Sequence, residues 1–108
     1  MTIFEPTADE AATMTPSDIV ASCYSHDAHG VLLNDGAFPA GFFDLSSRVA
    51  GELTQKLAQY GIQLAAVVPD PGAYSSAFRG FVQEANRSRH VRFASSRDEA
   101  LAWLQRSR

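Results

Sequence analysis

At 108 residues, with 45% hydrophobic and 19% charged side chains, the chain has the size and composition of one soluble globular domain built round a single core. No apolar run approaches the ~20 residues that a membrane span requires, and residues 1–21 carry Glu5, Asp9, Glu10 and Asp18 without a Lys or Arg, the reverse of a signal peptide. The net charge of −3 conceals a split: seven acidic and no basic side chains in residues 1–45, against nine basic and five acidic in residues 46–108.

These bounds set expectations about partners and place. Arg87, Arg89 and Arg92 have no stacking aromatics interleaved among them and belong to an acidic chain, so nucleic acid is not the expected partner. Acidic and basic ends on one molecule can pair two copies, which makes a homodimer one expected state beside an unknown regulatory protein. Cys23 is the single cysteine and falls on the apolar face of the first confident helix, so it reads as a buried thiol that forms no intramolecular disulfide. With no leader at its start, the chain is expected in the cytoplasm.

Residues 1–14 read as an irregular N-terminal segment, or as an edge strand at residues 2–4, ahead of one α/β domain over residues 15–108. At Thr15-Pro16-Ser17-Asp18 a capping hydroxyl, a proline suited to a first turn and an acid suited to the positive helix end coincide, so a helix starts there. Ile19, Val20, Cys23 and Tyr24 form its apolar face, and Val31-Leu32-Leu33 follows as a strand beyond Gly30. Residues 34–41, with Asp35, Gly36, Pro39 and Gly41, have the turn chemistry of a loop. Val49, Leu53 and Leu57 then recur four apart, beside Ala50, which predicts an amphipathic helix capped by Asp44 or Ser47 and closed by Gly61. The unbroken apolar run over residues 64–68 suits a strand covered on both faces.

Pro69-Asp70-Pro71-Gly72 forms the next loop, and Ser75 or Ser76 caps a helix whose inner face is Phe78, Phe81, Val82 and Ala85. Residues 90–94 supply a further strand, with Val91 and Phe93 on one side. Ser96 and Glu99 have capping-box spacing for a last helix that buries Ala100, Leu101 and Leu104, with Trp103 at its margin. Strands alternating with helices need crossover connections, which make neighbours parallel. The expected fold is α/β: a single, mostly parallel sheet flanked by helices, with three parallel strands and an antiparallel N-terminal edge.

Catalytic signatures are sparse. His26-Asp27-Ala28-His29 offers two imidazoles and a carboxylate but no third ligand, so the histidines are expected to meet solvent or helix-end carbonyls and no metal is expected. Glu52 and Lys56 have the spacing of a helical ion pair worth only ~0.3–0.5 kcal/mol. No phosphate-binding glycine loop and no nucleophile elbow occurs, so no catalytic residue and no cofactor is expected. The candidate partner-binding or phosphorylation residues are Asp44, Ser46, Ser47 and Arg48, where a loop at the carboxyl edge of the sheet meets a helix start and its free N–H groups. Asp35, Glu52, Gln55 and Asp70 are the candidate ligand-facing residues. A small enzyme or ligand-binding protein that uses Asp44, Glu52, Gln55 and His26 or His29 is the alternative, and it would show a pocket of ~300 Å³ or more enclosing several of them.

Phe42-Phe43-Asp44-Leu45, Ala50-Gly51-Glu52, Gln55-Lys56, Tyr60 and residues 81–87 (Phe-Val-Gln-Glu-Ala-Asn-Arg) together resemble the uncharacterised bacterial family called domain of unknown function 4180, and more loosely so over residues 16–104. The resemblance implies no activity. That family usually has a basic residue, a threonine and a glycine where Ser46, Ser47 and Arg48 stand, and a glycine where Pro69 stands. More distantly, the order of elements is similar to the sulfate-transporter and anti-sigma-factor-antagonist (STAS) domain. There a Ser or Thr in the first turn of the helix after an acid-rich loop is phosphorylated, and the resemblance implies a non-enzymatic, phosphorylation-switched binding module with Ser46 or Ser47 near that position.

Overall fold

Along the residues that the computed structural model describes, 2–106, local capping chemistry sets most of the element boundaries. Strand β1 (Ile3–Phe4) is followed by a short helix, α1 (Ala8–Thr13), in a stretch expected to be irregular. Thr7 and Glu10 explain it: the Thr7 hydroxyl accepts the Glu10 N–H at 3.2 Å and the Glu10 carboxylate accepts the Thr7 N–H at 2.8 Å, a capping box that starts a helix of six residues. Thr15 and Asp18 repeat the arrangement with Pro16 in the first turn, and α2 (Pro16–Ser25) begins where expected.

Strand β2 (Gly30–Leu33), helix α3 (Val49–Gln59), strand β3 (Gln63–Val67), helix α4 (Ser76–Ala85), strand β4 (Val91–Ala94) and helix α5 (Arg97–Arg106) complete the order. The Ser75 hydroxyl accepts the Phe78 N–H and starts α4. At the start of α5 half of the expected box forms: the Ser96 hydroxyl accepts the Glu99 N–H, while the Glu99 carboxylate accepts the Ser95 hydroxyl instead. The expected domain span ran to residue 108; residues 107 and 108 lie outside the described ones.

The four strands lie side by side in chain order, β1-β2-β3-β4, and every pair is parallel. The N-terminal edge strand is therefore parallel, not antiparallel as expected. Residues 5–29, with α1 and α2, make the crossover that this direction needs. Helices α2, α3 and α4 pack on one face, as right-handed crossovers adding strands in one direction require. Ile19, Cys23, Leu53, Leu57, Phe78 and Val82 meet Val31, Leu33, Leu64, Ala66, Val91 and Phe93 there.

Helix α5 alone covers the other face, where Ala100, Trp103 and Leu104 pack on Leu32, Ala65, Val67 and Ala94. It lies close to the sheet: a Cβ on Gly30 would come within 3.0 Å of the Leu104 side chain. Trp103 is part of this core and Leu101 is only partly buried, the reverse of the expected weighting. Arg92, in β4, lies 5.9 Å from the Trp103 ring and gives the indole a cationic cover.

The outer edge of β4 is closed to a further strand. His90 and Ala94 turn their carbonyls to β3, so the N–H groups of Val91 and Phe93 face outward. The Ser88 hydroxyl accepts the first at 3.2 Å and the Asn86 side-chain oxygen accepts the second at 2.7 Å, which removes the donors that edge-to-edge pairing would use.

Candidate functional site

The long segment from β2 to α3 is an anchored cap, held by rings. Phe38, Phe42 and Phe43 pack on one another, with Phe38 4.8 Å from each of the other two. Phe42, 1% exposed, also meets Phe78 and Phe93 at 6.3 and 6.2 Å, and Phe43 stacks on Tyr74 at 4.3 Å and 8°. Tyr74 belongs to the loop after β3, so two loops at the carboxyl edge are bound together through aromatic faces. In an open parallel sheet this edge is where a ligand crevice forms; here phenylalanines fill it. Three phenylalanines within residues 38–43 were the sequence signal for this, obscured by the prolines and glycines around them.

Downstream of the rings, Asp44 caps a single 3-10 turn, Leu45–Ser47, and its carboxylate accepts the Ser46 N–H at 3.1 Å and the Ser46 hydroxyl at 2.6 Å. The Ser47 hydroxyl sits 2.6 Å from the Gly41 carbonyl and 2.7 Å from that of Asp44, and accepts the Val49 N–H at 3.2 Å. Ser46 and Ser47 therefore stand in a turn just ahead of α3, and the cap position of that helix is held by Arg48 rather than by Asp44 or Ser47 as expected. The left-handed φ of 67° at Arg48 turns the chain between the two helices. That backbone favours glycine, the residue expected there from the family resemblance.

Of the candidate residues, Arg48, Glu52 and Gln55 come together. With Leu45, Gly51 and Phe81 they line an open groove of about 500 Å³ between α3 and α4. Through Gln55 and Phe81 it runs into a second, largely apolar hollow of about 310 Å³ whose sides include Ala58, Glu84, Ala85 and Val91. Asp35 lies apart in an exposed turn beside Gly36, its N–H donated to the Asn34 side chain. Asp70 is occupied as a cap, accepting the Gly72 N–H at 3.1 Å ahead of the short turn Pro71–Ala73.

The remaining polar groups have structural roles. His26 Nδ1 lies 2.7 Å from the Ser22 carbonyl and its ring stacks on Phe4, the helix-end role expected of it; among the described residues no group of three metal-ligating side chains converges. Burial pushes the Cys23 thiol up to about 11. Glu52 and Lys56 do not pair; the ion pairs among the described residues are Arg87 with Glu84 and Arg97 with Glu5. The second is bidentate, at 3.0 and 2.7 Å, and ties α5 to the end of β1. The Arg97 hydrogen bond holds the Glu5 carboxyl below its ordinary value. No helix among the described residues is long and apolar enough to cross a membrane.

The fold and the groove define a small parallel α/β domain that has a helix-lined trough beside a filled sheet edge. The chain belongs to the family Domain of unknown function (DUF4180), whose model matches residues 5–104. Comparison with curated proteins returns no match, and neither does comparison with solved structures. The STAS resemblance extends to the α/β class and the alternation of strands with helices.

Proposed function

We propose that the protein is a non-enzymatic regulatory module of the bacterial cytoplasm that receives a segment of a partner protein in the trough between α3 and α4. One observation carries this reading: the carboxyl edge, where an α/β enzyme keeps its crevice, is filled by packed rings, while an open trough with an apolar floor and polar rims runs beside it. Such a shape suits a helix or extended segment, with Phe81 as floor and Arg48, Glu52 and Gln55 as rim.

Phosphorylation is the regulatory part of the proposal, and the geometry favours Ser46 over Ser47. The Ser47 oxygen packs against two carbonyls that hold the cap together, whereas Ser46 bonds only to its neighbour Asp44. A phosphoryl group on Ser46 would add nearly two negative charges beside Asp44 and close in sequence to Leu45 and Arg48, which line the trough. The experiment is affinity capture of tagged protein from its native cells, with mass spectrometry of bait and captured proteins. A specific protein lost on Gln55→Arg or Ser46→Asp, with phosphate on Ser46 of the bait, supports the reading. An unmodified bait whose captured proteins ignore both substitutions refutes it.

The groove volume of about 500 Å³ favours one second reading, a small-ligand binder using Arg48, Glu52 and Gln55. A melting temperature raised by a small molecule, and no longer raised after Glu52→Gln, would establish it.

A further inference from the structure

The amino ends of β2 and β3 carry a further cavity, which shares no lining residue with the trough or the hollow it runs into. It measures about 180 Å³ and lies between the C-terminal ends of α2 and α3, over buried Cys23, Ala28 and Ile62. Tyr24 and Tyr60 flank it, edge to face at 5.5 Å and 82°, yet they are 66% and 53% exposed. Edge-to-face contact covers one ring face of the pair and leaves the others open.

The two helices close in the same way here. The Ile62 N–H donates to the Leu57 carbonyl and the Ala28 N–H to the Cys23 carbonyl, with a left-handed residue just before each donor. In α3 that residue is Gly61, at φ 68°. In α2 it is Asp27, at φ 52°, an aspartate where glycine is least strained. Asp27 lines the cavity and takes part in neither ion pair of the described residues. The last turn of α2 contains no basic side chain, and its Ser22 and Cys23 carbonyls are taken by the His26 ring and the Ala28 N–H. Lys56, in the last turn of α3, is not part of the lining.

We propose that this pocket receives the cationic side chain, arginine or lysine, of a partner polypeptide. A carboxylate and two open tyrosine faces attract a positive group, and aromatic faces beside an acid are a standard means of holding one. His29, also in the lining, offers a ring nitrogen as a further hydrogen-bond partner. At about 180 Å³ the pocket falls below the ~300 Å³ of ordinary small-molecule sites and matches the head of one side chain. The site shares no residue with the trough, so either proposal can fail without the other.

The test is a titration of ¹⁵N-labelled protein with N-acetyl-arginine amide and N-acetyl-lysine amide, with N-acetyl-citrulline amide as the uncharged isostere. The expected result is saturable millimolar binding confined to the amides of residues 24–29 and 60–62, absent with citrulline and weakened about tenfold by Asp27→Asn or Tyr60→Leu. Asp27→Gly should lose binding while its melting temperature stays level or rises, which separates lost recognition from lost folding. Equal response to citrulline, or shifts spread evenly over Asp9, Glu10, Asp18 and Asp35, would overturn the proposal. So would the absence of any shift.

Discussion

At the carboxyl ends of the strands the loops are cemented by Phe38, Phe42, Phe43, Tyr74 and Phe78, while at the amino ends Tyr24 and Tyr60 touch only at an edge and face solvent. Each end also holds one of the two non-glycine residues with positive φ among the described residues, and their charges are opposite: Arg48 beside the filled edge, Asp27 beside the open one. Rings turned inward stabilise, and rings left outside, Tyr24 and Tyr60, stay open to the contact proposed for them. Arg48 and Asp27 both hold a backbone region that favours glycine. The hollows described lie beside the filled carboxyl edge, between α3 and α4, and at the amino edge.

The largest test of the contrast is Phe42→Ala. Truncating a ring that is 1% exposed and packed on Phe78 and Phe93 should cost about 3–5 kcal/mol in urea unfolding, whereas Tyr24→Ala should cost under ~1 kcal/mol. Equal costs would mean that both ends are built for stability. Next comes the serine pair: Ser47→Ala, which removes the hydroxyl from the Gly41 and Asp44 carbonyls and the Val49 N–H, should cost about 1–2 kcal/mol. Ser46→Ala, losing one exposed bond to Asp44, should cost about half of that or less.

Backbone strain is the next increment. Asp27→Gly and Arg48→Gly should each raise stability by roughly 0.5–1 kcal/mol, and Gly61→Ala should lower it by about 1 kcal/mol. At Gly61 the effect is purely conformational, since an added Cβ meets nothing within 4 Å. The smallest effect belongs to Glu5. Its carboxyl is held below the ordinary value of 4.5 by Arg97, so the pair contributes at neutral pH and its contribution vanishes as pH falls through the lowered value. Urea titrations across pH should show Glu5→Gln less stable by under ~1 kcal/mol at pH 7, with the difference closing at the acidic end.

Much of this architecture was legible in the chain. Thr15, Pro16 and Asp18 announced α2, the spacing of Val49, Leu53 and Leu57 announced α3, and short apolar runs announced the central strands, because capping and periodicity are local properties. The failures needed distant partners. The direction of β1 depends on a crossover of twenty-five residues between Phe4 and Gly30, and the weight of Trp103 on a β4 arginine that covers it. At the candidate site, Glu52 and Gln55 share a helix by their spacing, whereas Arg48, set by a left-handed turn, and Phe81, from another helix, join them only in the fold. The aromatic cap was hidden because turn residues and rings point to opposite conclusions when they are interleaved. Helix α1 was the avoidable miss, since Thr7 and Glu10 carry capping-box spacing that could have been read.

The strand order has a consequence for synthesis. As the chain leaves the ribosome, each helix and strand can join an edge that already exists, β2 on β1, then β3, then β4, so no strand has to be inserted between two others. Only the final helix covers the second face. Until it emerges, Leu32, Ala65, Val67 and Ala94 form a bare apolar surface, and nascent chains halted near residue 96 are the species in which aggregation or chaperone capture should concentrate.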